Sequence, residues 1–166
     1  ILISPMIVPL IITAAGMFFF YARINLVYTF TGVILAHVAL ATPFVVITVT
    51  ATLVGFDMNM VKAAQSLGAK PMRTFFKVIM PLILPGIISG ALFAFITSFD
   101  EVVIVMFMAS IDQLTIPKQM WAGIRQEISP VILCMATCLV LLSIFLLTTV
   151  ELLRRRSEKL RGIKAR

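Results

Sequence analysis

Residues 128 to 150, ISPVILCMATCLVLLSIFLLTTV, carry no charged side chain. Crossing roughly 30 Å of hydrocarbon takes about 20 consecutive apolar residues as a helix, so this run alone predicts a membrane span. The same test applied along the chain gives three more. Residues 1 to 22 are uncharged, and residues 24 to 56 hold no formal charge either, long enough for a loop at Asn25 to Thr31 and a span from Gly32 to Val54. A further span begins at Leu82, passes Gly86 and Gly90, and meets Asp100 and Glu101 before continuing apolar to Ala109. The chain is therefore read as one all-α, polytopic helical membrane domain over residues 1–166, with four transmembrane helices.

Composition agrees, since 61% hydrophobic and 13% charged residues with a mean hydropathy of +1.11 lie far outside the range of soluble domains. The net charge of +7 does not point to nucleic acid. Seven basic residues, Arg154, Arg155, Arg156, Lys159, Arg161, Lys164 and Arg166, follow directly on the last apolar run, where basic residues mark the cytoplasmic side. Lys62, Lys70, Arg73 and Lys77 mark the loop after the second span in the same way, and both regions are placed inside the cell. The other two loops hold Arg23 alone, and Lys118 with Arg125 offset by Asp112 and Glu127, so they face outward. No secretory signal is visible, and Ile1 opens inside an apolar run without a preceding Met, so the chain is expected to lack its true start.

The segment Asp57 to Pro85, DMNMVKAAQSLGAKPMRTFFKVIMPLILP, interrupts the apolar spans with positive charge. Its pattern predicts two short amphipathic helices. In the first, Met60, Val61, Ala64 and Leu67 share one side while Asn59, Lys62 and Ser66 turn away. Asp57 is placed to cap its start, Gly68 to supply the left-handed residue past its end, and Pro71 to open the second helix. There Met72, Phe75, Phe76, Ile79 and Leu82 share a side, with Arg73 and Lys77 on another.

This spacing resembles the cytoplasmic loop of permease subunits of binding-protein-dependent ABC importers, in which Glu-Ala-Ala is followed after three residues by Gly, then by Ile and a Pro-rich exit. Ala63, Ala64, Gly68, Ile79, Pro81 and Pro85 fall in place, whereas Lys62 stands where the pattern has its glutamate. On GFDMNMVKAAQSLGA, IMPLILPGIISG and SFDEVV the chain is similar to the spermidine and putrescine permeases. The resemblance implies that residues 57–80, with Lys62, Ala63, Ala64, Gly68 and Ala69 at their centre, are a coupling loop for an ATPase. It also implies two ATP-binding subunits, a second homologous permease subunit and a periplasmic or extracellular solute-binding protein as partners, the bacterial plasma membrane as the location, and six spans in the complete subunit, two of them upstream of Ile1.

Asp100 and Glu101 are the most informative charges. An ionised carboxylate within a span costs at least about 2.5–3.5 kcal/mol unless it meets water, a cation or a donor on another helix. Adjacent on a helix, the two point about 100° apart, so one of them at most looks into a central path. Asp100 is the choice, because the resemblance places an acidic residue at the same position in polyamine permeases. Phe99 and Trp121 are candidate aromatic partners for an alkylammonium, although Trp121 also suits an interfacial belt. A small cationic solute is the implied cargo. His37 is read as a neutral histidine bonded to a neighbouring helix. Gly86 and Gly90 form a close-packing pair, within the chain or against a second subunit. Cys134 and Cys138 read as packing residues, without metal or redox work.

No GxxxxGK[ST] phosphate loop occurs, so ATP is not held by that route in this chain. Nothing in the sequence assembles a catalytic set, a metal site or a nucleotide fingerprint, and neither enzyme activity nor a cofactor is expected. Two readings stay open beside the ATP-driven importer of a polyamine. One is an ion- or proton-coupled transporter using Asp100, Glu101 and His37 as a relay, and the other is an importer for another solute, such as an amino-acid derivative or opine.

Overall fold

The computed structural model describes residues 2–126 and 129–160, apart from the side chains of residues 126, 150 and 153–160. Glu127 and the basic side chains from Arg154 to Arg166 lie outside that description. The chain is helical, with α1 at Ser4–Ile7, α2 at Leu10–Arg23, α3 at Phe30–Val54 and α4 at Asn59–Ser66. A continuous helical run, α5, covers Pro71–Phe99. It is followed by α6 at Val103–Met108, α7 at Ile116–Gln126 and α8 at Pro130–Leu160.

Three of the four expected crossings, α3, α5 and Pro130–Thr149 of α8, are single helices long and apolar enough to span a membrane. The first is divided. A proline disfavours helical backbone in the residue before it, and Val8 ahead of Pro9 is extended at φ −80° and ψ 137°. One turn therefore precedes the break, and α2 follows with 14 residues, about 21 Å at 1.5 Å per residue.

Packing is densest between α3 and α5. The two run antiparallel, because the glycines of α5 meet the threonines of α3 in opposite chain order, Gly86 against Thr52 and Gly90 against Thr48. Both threonines direct their hydroxyls back into their own helix, Thr48 Oγ1 to the Phe44 carbonyl at 2.9 Å and Thr52 Oγ1 to the Thr48 carbonyl at 2.9 Å. With their protons so engaged, the same two hydroxyl oxygens and the backbone beside them are what the opposing glycines lie against. The pair expected from sequence is thus used within the chain. In lipid no hydrophobic drive separates helix from solvent, so close approach at small residues is the available adhesive.

The second amphipathic helix expected in the loop is not a separate element. Pro71–Thr74 passes into a π turn at Phe75–Ile79 and on into Met80–Phe99. Pro81 has no N–H to return to the carbonyl of Lys77, four residues back, and the ladder widens at that point. Near the Phe99 end of α5, Ala14 and Tyr21 of α2, Ala36 and Leu40 of α3, and Ile104 and Met108 of α6 form a buried cluster. The loops that follow α2 and α6 are stitched together there. The Tyr28 N–H donates to the Met108 carbonyl at 2.9 Å, and Gln113 Nε2 donates to the Tyr28 carbonyl at 3.2 Å.

A Cβ on Gly90 would stand 3.0 Å from the Val45 Cα as well as against Thr48, and neither is the loose end of a side chain. Gly90→Ala should therefore cost about 1–3 kcal/mol, read as a lowered midpoint in thermal unfolding of the detergent-purified protein. An unchanged midpoint would show that the helices do not meet there.

Candidate functional site

Asp100 and Glu101 mark a break rather than the middle of a span. The helix expected to continue to Ala109 stops at Phe99, Asp100 takes the C-cap position with its N–H donating to the Ile96 carbonyl at 3.2 Å, and α6 starts afresh at Val103. Glu101 explains the restart. Its Oε1 accepts the N–H of Ile104 at 2.7 Å, satisfying one of the orphan donors at the start of α6. At the far end of α6, Lys118 Nζ donates to the carbonyls of Val105 at 3.3 Å and Ala109 at 3.5 Å, the favourable place for a cation on a helix. Ile104, Val105 and Met108 are fully enclosed. A six-residue helix is thereby held by one acid at its start, one base at its end and an apolar wedge between α2 and α3.

The two neighbouring carboxylates consequently differ in their work. Glu101 is 7% exposed and spent on a backbone donor. Asp100 is exposed, and its carboxylate makes no hydrogen bond or ion pair among the described residues. It forms the wall between two grooves. One, of about 400 Å³, runs between α5, α7 and α8 and is lined by Phe99, Asp100, Pro117, Trp121 and Leu139 among others. The other, of about 390 Å³, lies between Asp100, Glu101, Ile96, Thr97 and Leu10. Three of the expected path residues, Phe99, Asp100 and Trp121, thus meet in one groove, and Glu101 lies on the other side.

A third groove of about 550 Å³ shares Phe99, Pro117 and Leu139 with the first and reaches His37 and Ser98. His37 Nδ1 is 2.8 Å from Ser98 Oγ, the bond to a neighbouring helix that the sequence suggested. Phe95 stacks on Phe99 with ring centroids 5.4 Å apart. Ser98, Phe95 and the capping Lys118 were not singled out from sequence. For Phe95 the four-residue spacing to Phe99 was the available signal, whereas the partners of Ser98 and Lys118 depend on tertiary geometry.

At the other end of α5 the loop is rigidly closed. Asp57 Oδ1 accepts the Asn59 N–H at 2.9 Å. Past α4, the Gly68 N–H donates to the Gln65 carbonyl at 2.9 Å and the Ala69 N–H to the Ala64 carbonyl at 3.0 Å, with Gly68 at φ +78°. This is the paired C-terminal closure that a left-handed glycine permits. The apolar side expected on α4 is divided. Val61 and Ala64 are half-buried, whereas Met60 and Leu67 stand exposed, Leu67 at 88%.

The long apolar helices agree with what comparison with known proteins shows. Residues 1–159 fit the model of the family described as binding-protein-dependent transport system inner membrane component. This chain belongs to that family. Among curated inner-membrane components of this family, it is 30% identical over 153 residues to the spermidine/putrescine transport system permease protein PotC of Haemophilus influenzae, covering 92% of this chain and 60% of the relative. It is 29% identical over 154 residues to PotC of Escherichia coli K12, at 93% and 58% coverage, and 37% identical over 103 residues to the putrescine transport system permease protein PotI of the same organism, at 62% and 37%. The chain therefore spans about 60% or less of the length of these relatives. Family and helices together place it in the inner membrane as a multi-pass transport component.

The unequal roles of the carboxylates can be separated by stability. Glu101→Ala should lose about 1–3 kcal/mol by stranding a buried backbone donor, while Asp100→Ala should stay within about 0.5 kcal/mol of the parent. Thermal unfolding of the two purified variants decides it, and equal losses would contradict the division.

Proposed function

We propose that this chain is the membrane-spanning permease subunit of an ATP-driven importer, forming the path for a small cationic solute of the polyamine class, spermidine or putrescine. The single observation that carries the reading is Asp100. It is an acid without a partner among the described residues, at the end of a spanning helix, beside Phe99 and Trp121 in one groove. An alkylammonium would meet a carboxylate and two aromatic faces there, each face contributing about 0.5–2 kcal/mol once the cation is desolvated. The relatives, spermidine/putrescine and putrescine permeases by name, support the same class of cargo.

Energy would enter at the other end of α5. ATP-hydrolysing subunits would grip the loop of residues 57–80 at Lys62, Ala63, Ala64, Gly68 and Ala69, with a second homologous permease subunit completing the path and a solute-binding protein delivering cargo from outside. The unbroken helical run Pro71–Phe99 supplies the mechanical link from that loop to Asp100. An ion-driven relay through His37, Glu101 and Asp100 gains little from this geometry. His37 is bonded to Ser98 and Glu101 to Ile104, which leaves Asp100 as the relay member without a partner among the described residues.

Losing one member of a desolvated charge pair costs about 2 kcal/mol or more, so Asp100→Asn should lower radiolabelled putrescine uptake roughly tenfold or more. The full-length transporter would be expressed in cells lacking other polyamine uptake, with its membrane abundance unchanged. Uptake equal to the parent would remove Asp100 from the path, and indifference of the parent itself to polyamines would remove the solute assignment.

A further inference from the structure

The loop of residues 57–80 exposes two kinds of surface. Lys62, Lys70, Arg73 and Lys77 are all exposed, and none makes an ion pair among the described residues. The loop's one acid, Asp57, is engaged by its Oδ1 with the Asn59 N–H. Net charge over residues 57–80 is +3, from four bases and one acid. Beside these cations stand Met58 at 61% exposure, Met60 at 48% and Leu67 at 88%. At about 100° per residue, Met60 and Leu67 fall nearly in line along α4, and Lys62 lies about 200° round from Met60. Because Val61 and Ala64 occupy the inner side, the outward face runs from Lys62 across Asn59 and Ser66 to Ala63, with Leu67 and Met60 along its far edge.

That face is preformed. The double closure at Gly68 and the Asp57 turn fix both ends of α4, so little conformational freedom remains to be lost on docking. Two large apolar side chains left in water along one edge of this face, with the Lys62 cation at the opposite edge, suit an occupant of complementary design.

Resting on the reading that this loop meets an ATP-hydrolysing subunit, we infer that the partner's groove has an apolar floor under Met60 and Leu67 and carboxylates along the edge that meets Lys62, so that Lys62 selects the partner by charge. Like-charge contact at an interface excludes wrong partners more strongly than lost attraction does. A subunit whose groove is basic at that edge is rejected, and a glutamate at position 62 reverses the preference.

The test uses the complete transporter, co-expressed with its ATP-hydrolysing subunits and reconstituted in lipid nanodiscs with and without anionic lipid. Lys62→Glu should weaken retention of those subunits roughly tenfold and flatten its dependence on salt, while Lys62→Arg should retain them as the parent does. A lysine placed at one groove carboxylate of the partner should restore binding to the Lys62→Glu permease. A cysteine at Leu67, crosslinked to the partner, reports contact independently of charge. Crosslinking with unchanged retention of Lys62→Glu at low and high salt overturns the charge inference and leaves the docking reading standing. Absence of any crosslink overturns both. A loss seen only with anionic lipid assigns the cations to the membrane surface and overturns the inference too.

Discussion

The contact of Gly86 and Gly90 with Thr48 and Thr52 is the constraint on which the other features depend. Helices in lipid gain nothing from hiding apolar surface from one another, so they adhere where their backbones come close. Here the approach is made possible on both sides. One helix gives up its side chains at two positions a turn apart, and the other folds its hydroxyls back onto its own carbonyls. The antiparallel pair that results carries the loop of residues 57–80 at one end and the Asp100 break at the other, which makes α5 a strut between them.

The break itself is built economically. Ending a helix leaves backbone groups without partners, and at the outer end of a membrane helix each would be expensive. Asp100 closes the last turn through its N–H, Glu101 caps the next helix, and Lys118 satisfies carbonyls at that helix's far end. With those demands met, the Asp100 carboxylate is surplus to structure. A charged group that no other described residue engages, beside two aromatic rings in a groove, is the feature on which the proposed cation path rests.

Much of this was legible in the residues. Uncharged runs gave the helices, since hydrocarbon thickness is a length constraint that composition alone can meet. Gly68 and Asp57 announced the ends of α4, because left-handed backbone and short acidic caps are properties of single residues. The three path candidates that meet in one groove were also visible by type. What the sequence concealed was tertiary. The stop at Phe99 depends on Glu101 finding the Ile104 N–H, and apolar residues on both sides made an unbroken helix the simpler reading. Continuity from Pro71 through the π turn was hidden because the charges of Arg73 and Lys77 resemble those of an independent amphipathic helix. Residues 1 to 22 carry no charge to mark an interruption, yet Val8 ahead of Pro9 is extended and the first crossing is divided there. The use of Met60 and Leu67 as outward rather than inward side chains follows from where α4 leans on the π turn, which periodicity does not encode.

The coupling proposed through α5 makes a direct demand on the whole transporter. With Cys134 and Cys138 replaced, since both are exposed, a single cysteine at position 100 can be labelled from outside by a membrane-impermeant maleimide in the assembled complex. The labelling rate should change several-fold when a non-hydrolysable ATP analogue occupies the ATP-hydrolysing subunits, and Ala64→Pro in the loop should abolish that change. A rate at position 100 indifferent to nucleotide, or equally responsive when the loop helix is broken, would contradict the account.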